Sequence, residues 1–279
     1  MEQWRKEQPE LPILHTHTPW LPYRGMGRHD YLLCDAPWHF LVDMFHVPAR
    51  LASHQSKLME ETYQGVHRVF TTSEWARWEI IQTYGLEADK VIAVGTGCGP
   101  FEPYHGPKDY GNGVTLFVGK QRFEEKGGRL LIEAFRIAYK SNPSLQLVMV
   151  VDKNERIGTH PGHRIMSNIS WDVLTNLYRN ASLYAMPAML EPWGLVYIEA
   201  QLARVPLLGL ERAAFPELSF FGRSGFLVPE PTPEAIAESL LSAHSDPDRL
   251  AAMGREGQRL AAERFTWDCA ADRILATLQ

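Results

Sequence analysis

Short apolar runs, each followed by a longer amphipathic stretch, recur along this chain and restrict its fold more than any other feature. In the first part Pro12–His15, Tyr31–Cys34, Val69–Thr72 and Val91–Val94 read as strands. In the second, Val114–Val118, Leu145–Val151, Leu183–Met186 and Pro206–Gly209 do. Helical patterns lie between them. Leu131, Ala134, Phe135 and Ala138 share one face after Gly128, and the segments from Ser56 to Tyr63 and from Glu74 to Tyr84 are helical too, the latter with Ser73 as its N-cap. Strands that alternate with helices imply parallel sheets with right-handed crossovers. The expected class is α/β, with two Rossmann-like parallel-sheet domains.

The stretch from Gly95 to Gly113 is rich in Gly and Pro and reads as a linker. It divides the chain into a first domain over residues 1–105 and a second over residues 106–279. The first holds about four strands, few against the five or six of a typical sheet, and is expected to be an incomplete domain.

Charge narrows the function. The 279 residues carry a net charge of -5, which argues against a general nucleic-acid binder. An anionic ligand therefore needs a local cluster of cations. Cys34, Cys98 and Cys269 are far apart and form no CxxC pair, so they read as reduced thiols of a cytoplasmic protein. The opening residues do not resemble a signal peptide, and no apolar run approaches the roughly 20 residues of a membrane span. Peripheral contact with a membrane stays open.

One cation cluster is visible. The strand at Val114–Val118 runs into Gly119-Lys120, and Lys126-Gly127-Gly128 opens the next helix. Ligands of open α/β sheets sit beyond the carboxyl ends of the strands, where both lysines fall. Each alone is an ordinary surface lysine. The strand at Leu183–Met186 leads into Glu191-Pro-Trp-Gly194-Leu195-Val196 and a helix that carries Glu199. Gly194 permits close backbone approach, and the N–H groups of Leu195 and Val196 suit a phosphate. Glu191 and Glu199, separated by seven residues, are by themselves unremarkable for a helix start. Both segments point to one edge of one sheet, and only together do they suggest a site.

The run Val118-Gly119-Lys120, Lys126-Gly127, the stretch from Glu191 to Ala200, Phe215-Pro-Glu217, Gly225-Phe-Leu-Val-Pro and Phe265-Thr-Trp267 resemble family 4 retaining glycosyltransferases of the GT-B fold, over roughly residues 65 to 279. The resemblance implies transfer of a sugar from a nucleotide-diphosphate donor to a hydroxyl of a carbohydrate or lipid-linked acceptor, with retention of configuration and without a metal or other cofactor. Lys120 and Lys126 would hold the diphosphate, with Gly194, Leu195 and Val196 at the helix start. Glu199 would bind the ribose hydroxyls, and Glu191 would lie at the transferred sugar. The base would lie near Arg164–Ile169. The last helix would pack back on the first domain, and further copies or a different chain would join it in a homo- or hetero-oligomer. Two departures stand out. Lys120 replaces a frequent Arg and lacks its planar fork, and Val151-Asp-Lys-Asn replaces a Gly-rich turn.

The first domain resembles the family less. No glycine-rich loop precedes His15, and Cys34-Asp35 stand where the family commonly places an active-site histidine. His17 is the candidate to replace it, with His39 and His46 as others. Two alternatives remain. The chain would be a donor-binding partner subunit or a truncated, inactive transferase. More remotely, His15 and His17, alternating by two with Asp35 and His39 near, would be ligands of a metal hydrolase.

Overall fold

The computed structural model describes residues 11–16 and 29–278. These separate into two compact units. One contains the chain up to Thr96 together with the segment from Asp268, and the other runs from Gly97 to Trp267.

In the first unit β1 (Ile13–Thr16), β2 (Asp30–Cys34), β3 (Arg68–Thr71) and β4 (Val91–Ala93) form a parallel sheet in sequential order. The helices α1 (Trp38–Met44), α2 (Ala49–Gly65) and α3 (Glu74–Tyr84) connect them. The chain is therefore helical well before Ser56, where the apolar pattern first becomes clear. Ser73 caps α3 by accepting from the Ala76 amide at 3.0 Å, and Gly85 ends it at φ 60°. Left-handed backbone at a helix end favours glycine. Tyr31, Phe70 and Val94 form a buried cluster against which Leu33, Ile92 and Ile274 pack. Arg273 adds a bond from Nη1 to the Val94 carbonyl at 2.9 Å.

The second unit has a six-stranded parallel sheet. Its strands are β5 (Val114–Gly119), β6 (Gln146–Val151), β7 (His163–Met166), β8 (Leu183–Ala185), β9 (Leu207–Leu210) and β10 (Gly225–Val228), in the order β10-β9-β8-β5-β6-β7. The helices α4 (Gly128–Ser141), α5 (Trp171–Asn180), α6 (Leu195–Leu202), α7 (Phe215–Leu218), α8 (Pro233–His244) and α9 (Pro247–Arg264) surround it; α10 (Trp267–Leu275) follows, and from Asp268 on it belongs to the first unit. Leu116, Phe117, Leu147, Met149, Leu183, Tyr184, Leu207 and Leu208 are wholly buried, as expected of strands covered on both faces. The chain leaves β5 toward β6 and β7, then returns to place β8 on the other side of β5. This reversal opens a crevice at the carboxyl ends of β5 and β8.

β7 and β10 are the edge strands; β10 is the short apolar run Phe226–Val228, whereas β7 is one that the apolar pattern does not reveal. In β7, His163 and Met166 are half-buried while Arg164 and Ile165 are exposed, so no apolar run marks it. Arg164–Met166 accordingly belong to a strand, and only the residues after them form the loop before α5. Among the described residues no helix is long and apolar enough to cross a membrane.

Candidate donor site

The loop from β5 to α4 carries the cations. Phe123 is buried and its ring meets Phe117 of β5 edge-on at 5.8 Å, which anchors the loop to the sheet. Its turn closes through Lys126 N–H to Arg122 O at 3.0 Å and Gly128 N–H to Phe123 O at 2.9 Å. Arg122 adopts a left-handed φ of 54°. Gly127, at φ 74°, faces the Pro187 carbonyl so closely that a side chain there would overlap it.

The loop after β8 lies against this turn. The amides of Met189 and Leu190 both donate to the Glu125 carbonyl, at 2.7 and 3.2 Å. The two loops are thus joined at the backbone, and the acidic residue of one meets the cations of the other. Glu191 Oε2 lies 3.5 Å from Lys126 Nζ and 3.6 Å from Arg122 Nη2, with only 8% of the Glu191 side chain exposed. That oxygen has an ion pair on each side but no hydrogen bond. Lys120, directly after β5, is exposed.

Gly194 begins α6 at φ 82° and offers no capping side chain. The amides of Leu195 and Val196 therefore lack intrahelical acceptors, and the positive end of the helix dipole faces the same place. Glu199 lies one turn further on. Its Oε2 accepts a 2.8 Å hydrogen bond from the Tyr178 hydroxyl. Burial raises the Glu199 pKa above the usual carboxylate range, opposed by that bond and by the charges of Lys120 and Lys126. These influences show that Lys120, Lys126 and Glu199 share one electrostatic environment. Cys98 is beside them. Burial and the Glu199 carboxylate lift its thiol to about 11, so it stays protonated at neutral pH.

The structure thus gathers Lys120, Lys126, Glu191, Gly194, Leu195, Val196 and Glu199 at one crevice. Arg122, Tyr178 and Cys98 join them without a sequence signal that singled them out. The histidines of the first unit are a different matter. His17 lies outside the described residues. His39 pairs with Glu79 at 3.3 Å, and His46 has a left-handed φ of 50° just after α1. Cys34 donates to the Phe70 carbonyl at 3.7 Å, and burial pushes its thiol up to about 12, so it is no base at neutral pH. His15 is engaged by Asp30, Nε2 to Oδ1 at 2.8 Å, both side chains buried. Among the described residues no group of three or more His, Cys, Asp or Glu is placed to hold a metal ion.

Comparison with known proteins bears on the family and the fold. Residues 105–260 match the family model of glycosyl transferases group 1. The D-inositol 3-phosphate glycosyltransferase of Streptomyces bingchenggensis is 38% identical over 242 residues, which cover 76% of this chain and 52% of that protein. The chain spans about half the length of the curated relatives it matches. Among solved structures, sucrose-phosphate synthase of Thermosynechococcus elongatus superposes with a TM-score of 0.75 at 17% identity, over 99% of this chain and 75% of that one. Anabaena HepE, solved with UDP-glucose, superposes with a TM-score of 0.68 at 20% identity, over 89% of this chain and 71% of that one. Those two likenesses establish the GT-B fold. With more than half of its length under the family model, the chain belongs to the group 1 glycosyl transferases.

Proposed function

We propose that the second unit binds a nucleoside-diphosphate sugar and that the chain transfers the sugar to an acceptor hydroxyl with retention of configuration. The observation that carries this reading is the convergence of Lys120, Lys126, Glu191 and Glu199 at the crevice between β5 and β8. Lys120 and Lys126, with the amides of Leu195 and Val196, supply positive charge for a diphosphate. Glu199 offers a carboxylate to the vicinal ribose hydroxyls, and Glu191 sits where the transferred sugar would lie. In this reading the departing phosphate gains its stabilisation from fixed charges already in place when the bond breaks, and the acceptor enters on the face from which the nucleotide leaves. The complex of Anabaena HepE with UDP-glucose makes UDP-sugars the first donors to try.

A thermal-shift panel of UDP, GDP, ADP and their sugars tests the site. One nucleotide should stabilise the parent, and Lys126→Ala and Glu199→Ala should lose that shift. Equal shifts in all three proteins would remove the assignment. Cys34-Asp35, standing where the resemblance places an active-site histidine, favour a second reading, a donor-binding subunit without turnover. Release or transfer of the donor sugar by the purified chain decides between the two.

A further inference from the structure

We propose that Tyr178 is a positioning residue for Glu199, fixing the carboxylate so that it can receive the two vicinal hydroxyls of the donor ribose. The inference rests on the donor-site reading above and adds a residue to it.

Tyr178 is wholly buried on α5. A tyrosine there needs no special explanation as packing, but its hydroxyl does. A buried phenol must find an acceptor. This one donates to Glu199 Oε2 at 2.8 Å and lies 3.4 Å from the Val196 carbonyl of the same helix. Its ring is held edge-on to Phe101 at 5.4 Å and tilted against Tyr184 at 5.9 Å. Lys108 Nζ donates to the carbonyls of Tyr178 and Arg179 at 3.1 and 3.0 Å, which secures the end of α5. The phenol is therefore immobilised at its ring and at its backbone.

A carboxylate has about four lone-pair positions, and a pair of adjacent hydroxyls needs two of them in one plane. A carboxylate free to rotate would have to be ordered at each binding event. The Tyr178 bond takes one position and orders the plane beforehand. The groups that act on Glu199 are Tyr178 from α5, Tyr184 from β8, Lys120 and Lys126 from the loop after β5, and Cys98 from the segment before Phe101. Of these, Tyr178 alone makes a hydrogen bond to its carboxylate among the described residues. That bond and the two lysines oppose the upward push of burial, so removing the hydroxyl also leaves the carboxyl easier to protonate. A protonated carboxyl accepts poorly from two hydroxyls.

The test is the preference for ribose over deoxyribose. Binding of UDP, GDP and ADP, each beside its 2′-deoxy form, is measured for the parent and Tyr178→Phe from pH 5.5 to pH 8. The ratio of the two dissociation constants cancels the titration of the phosphates. The parent should prefer the ribonucleotide by about tenfold at neutral pH. Tyr178→Phe should fall toward about twofold, with the 2′-deoxy form bound as before, and should lose its remaining preference at a higher pH than the parent. A packing role would weaken both forms alike and leave the ratio unmoved. A preserved ratio in Tyr178→Phe overturns this proposal alone. A parent that binds none of the nucleotides overturns the donor site and the proposal with it. If Tyr178→Phe does not fold, Tyr178→Met, which also removes the hydroxyl, is read by the same ratio.

Discussion

Gly127→Ala strikes the joint between the two loops of the site without touching a charged group. Gly127 holds φ at 74°, and a built Cβ stands 2.7 Å from the Pro187 carbonyl carbon and closer still to its oxygen. The left-handed backbone alone costs an alanine about 1 kcal/mol. The overlap cannot be relieved by a rotamer, because both partners are backbone. The loops must part, and the hydrogen bonds from Met189 and Leu190 to the Glu125 carbonyl lengthen with them. Losing each costs about 1 kcal/mol. The sum is about 3 kcal/mol, which for a unit of this size lowers Tm by roughly 6–12 °C.

The same displacement carries Lys126 away from Glu191, now 3.5 Å apart, and should weaken nucleotide binding about tenfold. Gly85→Ala is the control. It has φ 60° but nothing within 4 Å of a built Cβ, so it should cost only the backbone term, about 1 kcal/mol, and leave nucleotide binding as it is. Thermal unfolding and a nucleotide titration on both variants read the two effects. A Gly127→Ala protein that melts with the parent would refute the steric argument. One that melts lower yet binds nucleotide normally would refute the claim that the loop joint sets the site.

Two further predictions follow from buried ionisable groups. Burial raises the Glu199 pKa, so its contribution to stability is complete below the ordinary carboxylate value of 4.5 and is lost as pH rises through the raised one. Glu199→Gln keeps an oxygen for Tyr178 and removes the charge; it should melt a few degrees above the parent at pH 7, with the gap closing on acidification, while nucleotide affinity is lost. A gap that widens as pH falls would contradict this. His244 is the opposite case. Its Nε2 lies 2.8 Å from Thr115 Oγ1, and burial lowers its pKa from 6.5 to about 4. The stability it lends is present above pH 6.5 and declines toward pH 4, by up to about 3 kcal/mol. His244→Gln should flatten the acid limb of a Tm-against-pH curve, and an unchanged slope would exclude His244 as its source.

Much of this was visible in the sequence, and the exceptions have physical causes. Strands buried on both faces announce themselves by apolar runs, so β5, β6, β8 and β9 were legible. β7 has two exposed residues out of four and was not. Lys120, Lys126, Glu191 and Glu199 were legible as a set because each follows a strand of one sheet and carries a charge. Arg122 was hidden because a left-handed turn, not spacing, brings it to Glu191. Tyr178 was hidden for another reason. It shares the apolar face of α5 with Leu174, and a buried tyrosine at helical spacing looks like core. Its hydroxyl acquires meaning only once Glu199 is seen beside it. Cys98 lay in the Gly- and Pro-rich stretch, where sequence offers neither period nor burial.

The charges of the site also explain how its cations stand close together. Lys120, Arg122 and Lys126 would repel one another on a short loop, and burying any of them unpaired would be costly. Glu191, almost enclosed between Lys126 and Arg122, offsets that repulsion and fixes where two of the cations stand. Glu199 lowers it further from the neighbouring helix, with its own charge held in place by Tyr178. The loop itself also carries Glu124 and Glu125, so its cations sit among carboxylates in a chain whose net charge is -5. Lys120 is exposed and, among the described residues, makes no ion pair. In the donor-site reading, a diphosphate would meet Lys120 unpaired and Lys126 already placed by Glu191. In the donor-site reading, Glu191 therefore shares in diphosphate recognition without touching the phosphates, because it fixes where Lys126 and Arg122 stand.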